Sequence, residues 1–404
     1  MHQALRTNKT LPTRTLGALA LILWIGAACH PGPNPFSLTP LEGLMPLGPS
    51  LEPLQAPSAP LAPIELTDAR QRTPDDNDDI TPTDHHNATP SRVVVRKARY
   101  VLMGVDCFGA QDGEACQRLT ARSSLDVGDS LPLGWRGEGL VERLRRSGNY
   151  AYVGISPVFY TDGTAYVTID VVEQDDHNRL KLLDPPNQTL SFSTNLLELY
   201  GEYSNITVDL MQRGVAPKTT PEEGFWQSDH DQLAPYIALF REQVPLHRQE
   251  LIAIATQEKD PTWRRAASGL LGFDTDDALA SRVLAAALLD PNHQVRSEAA
   301  HALVPKLRKA RDTGEALIDT GSVLRMLQLP STADRASAIS VINELVHIPS
   351  LRKPILDEAF PVLEQMLQAS RPKASQSAIQ VLESATGLSY GRDSLRWKKA
   401  IERL

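Results

Sequence analysis

Three cysteines in 404 residues are too few for a disulfide scaffold or a cysteine-built zinc cluster. Positive charge is also short. The formal net charge is -8, whereas a nucleic-acid protein usually carries a basic stripe, so no nucleic acid is expected as a partner. Local catalytic signatures are missing: there is no His-Glu-x-x-His, no phosphate loop and no G-x-G-x-x-G. Gly154-Ile155-Ser156 lacks the second glycine of a nucleophile elbow and falls in a predicted strand. No cofactor is expected. The uncharged run from Leu16 to Ala28 is 13 residues, too short to span a hydrocarbon core of ~30 Å.

That run nevertheless has an address. Arg6, Lys9 and Arg14 precede it, and small residues follow at Gly26-Ala27-Ala28-Cys29, the layout of an export signal over residues 1–28. Gly26 to Cys29 resembles a bacterial lipobox, which implies a lipidated Cys29 as the mature N-terminus. Gly26 stands where that family usually has Leu, so an ordinary signal-peptidase cut is the alternative. A single acyl chain holds only reversibly, at ~0.8 kcal/mol per buried CH₂, while three hold firmly. His30 is not the Asp of an inner-membrane retention signal, so lipidation implies anchoring at the outer membrane.

Residues 29–91 read as a linker. Thirteen prolines fall between Pro31 and Pro90 with no helical or strand period, which predicts extended chain. His30 to Ser91 carries nine carboxylates against Arg70 and Arg72, too much charge to order itself. Asp75-Asp76-Asn77-Asp78-Asp79 is not an EF-hand loop, because Ile80 and His86 occupy the positions of its Gly and bidentate Glu.

Composition changes at Arg92. Val93 to Met103 is β-rich, Gly113 to Ser124 and Glu138 to Arg146 are helical, and Tyr150–Phe159 and Thr164–Glu173 alternate around Asp162-Gly163, a strong hairpin marker. Ala165, Val167, Ile169 and Val171 share one face; Tyr166, Thr168 and Asp170 point the other way. This α+β order over residues 92–174, with Val127-Gly128-Asp129 before the second helix and Leu144 to Tyr150 leading into the hairpin, resembles a POTRA domain. The resemblance implies protein partners bound by strand addition to a sheet edge. Cys107 and Cys116 are expected to form a structural disulfide in an oxidising compartment, worth about 2–3 kcal/mol for so short a loop.

Residues 175–234 read as a connecting helix and loop, and residues 235–404 as helices. Within them a motif repeats: Asp260-Pro261 then Trp263-Arg264, Asp290-Pro291 then Val295-Arg296, Asp334-Arg335, and a degenerate copy at Ala374 to Leu382. The frame resembles HEAT repeats of the short bacterial kind, which implies an α-solenoid stacked from near-copies and closed by a capping helix around Trp397. Arg264, Arg296 and Arg335 are expected to pair with Asp260, Asp290 and neighbours as a ladder; lining a groove for acidic peptides is the other reading. Asp229-His230-Asp231 could orient an imidazole but has no nucleophile beside it. The expected function is a non-catalytic scaffold of the cell envelope with protein partners. The alternative is an envelope enzyme whose site lies between the α+β part and the solenoid.

Overall fold

A four-stranded mixed sheet opens the described chain. Its elements are β1 (Arg99–Phe108), α1 (Gly113–Ser123), β2 (Ser130–Pro132), α2 (Leu140–Arg145), β3 (Tyr150–Phe159) and β4 (Thr164–Glu173). The computed structural model describes residues 99–111, 113–137 and 139–404. The expected export signal, Cys29 and the expected linker therefore lie outside the described residues. Strand order is β2-β1-β4-β3, with β1 and β4 parallel and the other neighbours antiparallel. The β3–β4 hairpin turns where expected: Gly163 adopts φ +83, and Asp162 Oδ1 accepts from the Thr164 N–H and hydroxyl at 3.0 and 2.6 Å.

β4 is central and covered on both faces. Ile169 and Val171 pack with Leu119, Leu140 and Leu144 of the two helices, and Ala165 and Val167 pack with Leu102 and Leu131. The opposite face, carrying Thr168 and Asp170, is equally buried. β1 runs further than the sequence predicted, to Phe108 instead of Met103, because the register slips between Leu102 and Gly104. The slip resets the alternation, so the sequence pattern breaks where the strand does not. Cys107 and Cys116 are bonded, with Cα atoms 5.4 Å apart, tying α1 to the end of β1.

After a 3-10 segment over Gln174–Leu180 come α3 (Leu196–Gln212) and a hairpin of β5 (Thr219–Glu222) and β6 (Phe225–Ser228). The sequence anticipated the helix but read the hairpin, within Gly214 to Asp229, as loop. Glu223 and Gly224 both have positive φ, as a primed turn requires, but Pro221 within the strand and Glu instead of Asn or Asp before the Gly hid it.

Then follow α4 (Ala234–Gln243), α5 (Arg248–Gln257), α6 (Pro261–Leu271), α7 (Asp277–Ala287), α8 (His293–Arg311), α9 (Gly321–Gln328), α10 (Thr332–Leu345), α11 (Pro349–Gln368), α12 (Pro372–Thr386) and α13 (Ser394–Ile401). Consecutive helices pack as pairs, α5 with α6 through α11 with α12. The second members, α6, α8, α10 and α12, also pack in series. Small residues let them approach: Ala267, Ala299, Ala338 and Ala378 are fully buried, with Leu270, Leu303, Ile342 and Leu382 filling between. Trp397 on α13 is 0% exposed, and its Nε1 donates to the Gly391 carbonyl at 2.8 Å, which closes the last pair.

Sheet and helices share one contact unit. Phe108 joins the helical core, and Gly104 lies against Ser370 in the loop before α12. A Cβ at Gly104 would overlap the Ser370 side chain. Gly104→Ala is therefore expected to cost about 1–3 kcal/mol, and Ser370→Gly to restore most of it. Urea unfolding of both single variants and the double measures the coupling. Equal losses in the single Gly104 variant and the double would show that strand and loop do not press on each other.

Candidate interaction site

Arginine forks cross from one helix pair to the next. Arg264 gives Nε and Nη2 to the two carboxylate oxygens of Asp290, at 2.8 and 2.9 Å, and its Nη1 to the carbonyls of Glu258 and Lys259. Arg296 repeats this arrangement with Asp334, at 2.8 and 2.7 Å, and with the Asp290 carbonyl. Arg248 grips Asp274 at 2.6 Å through both nitrogens, and these bonds raise its pKa above the ordinary guanidinium value. Each bidentate fork fixes angle as well as distance.

Of the two aspartates the sequence named for the ladder, Asp290 takes part and Asp260 does not. Asp260 does not pair with Arg264; it caps α6, accepting from the Thr262 N–H at 2.8 Å. Asp290 serves the preceding arginine, and Asn292 caps α8 in its place. An acid one pair downstream has the reach, whereas an N-cap aspartate is already spent on the helix end. Lys306, fully buried, donates to the Asp274 carbonyl at 2.7 Å and to Asp277 at 3.1 Å; burial lowers its pKa.

The last rung leaves the helices. Arg335 Nη2 lies 2.6 Å from Asp170 Oδ1 on β4, an ion pair angled away from ideal hydrogen-bond geometry, with 7% and 1% of the side chains exposed. The Arg335 guanidinium also stacks over the Phe108 ring, 4.3 Å from its centroid. The fourth motif copy has Ala374 and Ser375 where the third has Asp334 and Arg335, and the sheet supplies the missing acid. Around it, Asp106 accepts from the Ser370 N–H at 2.7 Å and the Arg371 N–H at 3.3 Å, just ahead of α12. Arg179 bridges the Gly109 and Gln328 carbonyls. A hollow of about 310 Å³ lies along this seam, lined by Phe108, Arg179, Arg335, Pro361 and Gln365 among others.

A groove of about 420 Å³ runs over α8, α10 and α12 and is bounded by Trp226 of β6. Trp226 stacks on His301 with centroids 4.8 Å apart and donates its Nε1 hydrogen to the His301 carbonyl at 2.8 Å. Ser297, Ser337 and Ser377 line the groove, spaced 40 residues apart on successive helices. Among the described residues their hydroxyls make no hydrogen bond within the protein. Glu344 on the groove wall is neutralised by Arg308 and Arg311. Beside Ser297, Glu298 accepts from the Tyr200 hydroxyl at 2.7 Å. Burial, with the Glu298 charge adding, pushes the Tyr203 pKa up to about 12.

His230 holds a turn: its Nδ1 accepts from the Gln232 N–H at 3.2 Å. Among the described residues no cluster of His, Cys, Asp or Glu side chains is placed to hold a metal, and no helix is long and apolar enough to cross a membrane. Sequence reasoning missed Asp106, Trp226, His301 and Arg371. Asp170 was placed on its correct face but without its partner. A carboxylate inside the apolar run of β4 was the available clue.

Removing one partner of a buried ion pair costs about 3–5 kcal/mol. Arg335→Ala and Asp170→Ala should each lose that much in denaturant unfolding, and Arg335→Met with Asp170→Leu should recover most of it. A loss below about 1 kcal/mol, typical of an exposed pair, would contradict the buried geometry. No known family and no curated protein matches this chain.

Proposed function

We propose that this protein is a non-catalytic lipoprotein of the cell envelope, anchored through Cys29 at the outer membrane, and that it scaffolds other proteins. In this reading the sheet unit is POTRA-like and the helix pairs are HEAT-like repeats. The order of strands and helices, and the recurrence of one arginine position on α6, α8 and α10, support it. The observation that carries it is the row of unspent hydroxyls at Ser297, Ser337 and Ser377. Packed helices lie about 8–10 Å apart, and three residues of extended chain rise about 10 Å. The row therefore offers one hydrogen-bonding group for every third residue of an extended segment laid across the helices. The β3 edge, ten residues long with neighbours on one side only, offers a second place for a strand.

A second reading, an envelope enzyme, draws on the 310 Å³ hollow along the seam. Cross-linking in intact envelopes separates the two. Ser340→Arg with Gln380→Arg fills the groove from exposed positions and should abolish a cross-linked partner without changing the unfolding midpoint. Undiminished cross-linking would remove the groove from the reading. Labelled palmitate should enter the wild-type chain and not Cys29→Ser; equal labelling would remove the anchor.

A further inference from the structure

Ser297, Ser337 and Ser377 stand on α8, α10 and α12, which pack in series, so the steps between them are steps between packed helices, about 8–10 Å. That step discriminates among the conformations of a bound segment. A β-strand turns successive residues to opposite sides, so one side recurs every second residue, about 6.4–6.8 Å along, or every fourth, about 13 Å. Neither distance meets the row, and the third residue, at about 10 Å, faces away. An α-helix spends its carbonyls on its own N–H groups and has none to give the hydroxyls. A polyproline II chain has three residues per turn, each rising about 3.1 Å, so one face recurs every ~9.3 Å. Its carbonyls are unbonded within the chain and free to accept.

The chemistry of the groove agrees with its spacing. The three hydroxyls are free to donate. Asn343 Oδ1 accepts from the Ser384 hydroxyl at 3.2 Å, which leaves the Asn343 amide N–H groups as donors on the same lining. Proline has no N–H, so a proline-rich segment asks for donors and little else. The floor between the hydroxyls is apolar: Ala300, Val304, Ile339 and Val381 are all buried. Trp226 adds an aromatic wall, its Nε1 already committed to His301. Aromatic-lined grooves suit proline rings. The two charged groups on the lining, Arg308 and Glu344, pair with each other at 2.5 Å, so the groove matches an uncharged occupant. We propose that it takes an uncharged, proline-rich segment of a partner protein in the polyproline II conformation. Proline at every third position packs on the apolar floor, and backbone carbonyls turn to the serine row. This inference rests on the protein-binding reading of the groove and names the segment that reading leaves open.

The test titrates the full chain with two end-blocked peptides and reads the heat of binding. One repeats Pro-Ser-Ala four times; the other has Thr in place of every Pro. The proline peptide should bind, and the threonine peptide should bind about tenfold or more weakly, because it has to be ordered into a conformation that proline holds in advance. Replacing all three serines, Ser297→Ala with Ser337→Ala and Ser377→Ala, should weaken the proline peptide about tenfold or more. The unfolding midpoint of that variant should be no lower than wild type, since the hydroxyls bond nothing in the fold and alanine favours a helix. Equal or tighter binding of the threonine peptide, or wild-type affinity in the triple variant, overturns the polyproline assignment. Absence of heat with both peptides overturns it as well. The wider reading falls separately, on undiminished cross-linking in Ser340→Arg with Gln380→Arg.

Discussion

The bidentate grip of an arginine on an aspartate one helix pair away is the constraint on which the remaining structure depends. Burial of Ala, Leu and Ile between helices supplies the larger share of the driving force, but it is non-directional and would tolerate sliding. A guanidinium fork does not slide. With Nε and Nη2 committed to the two oxygens of Asp290 or Asp334 and Nη1 to the turn behind it, each pair can sit on the next at one rotation and one height. The same group closes the turn of its own pair and fixes the following one. Because both charges are buried, an incorrectly stacked pair would strand an ion in apolar surroundings, which penalises the alternatives more than it rewards the native arrangement.

The ladder also explains how a sheet becomes part of a helical stack. A fourth pair with its own aspartate would end the series on itself. Instead Ala374 leaves Arg335 without an acid from the next helix, and Asp170 arrives from β4. Phe108 under the same guanidinium and Asp106 ahead of α12 place the β1 strand within a few ångströms of the same spot. Cys107 lies between those two residues in sequence, so its bridge to Cys116 ties the stretch of strand that meets the helices to α1. The seam is therefore built like the helix-to-helix contacts, with buried charge at its centre and close backbone approach at Gly104.

Much of this was legible beforehand, and the parts that were not have physical reasons. The Thr164–Glu173 strand, its two faces and its turn followed from the alternation of apolar and polar residues and from Asp-Gly, although the structure buries both faces. The α6, α8 and α10 helices followed from the repeated frame around Arg264, Arg296 and Arg335, with Asp-Pro ahead of the first two. Hydrophobic period says where a helix face points but not which acid a given arginine will reach, so the ladder was expected to use Asp260 as well as Asp290, and only Asp290 takes part. Likewise Gly104 looked like the end of a strand, since nothing local distinguishes a bulge from a stop. Glu223-Gly224 was silent because its turn preference comes from the glycine alone. Arg371 carried no pattern at all: its neighbours Asp106 and Tyr160 come from the sheet part of the chain, more than 200 residues away, a proximity that no single-sequence spacing encodes.

The sheet's second buried face has a bearing on how the chain reaches this state. Synthesis proceeds from the N-terminus, and domains fold as they emerge. Asp106 and Asp170 leave the ribosome long before the groups that satisfy them; for Asp106 and Ser370 the gap is 264 residues. Until α10 and α12 exist, the sheet has to keep that face hydrated, and the carboxylates make this tolerable. A wholly apolar face in the same place would be sticky for as long as the wait lasted. Acidic residues where a core would seem to call for leucine thus let an early-made part stay soluble and still lock into a late-made one.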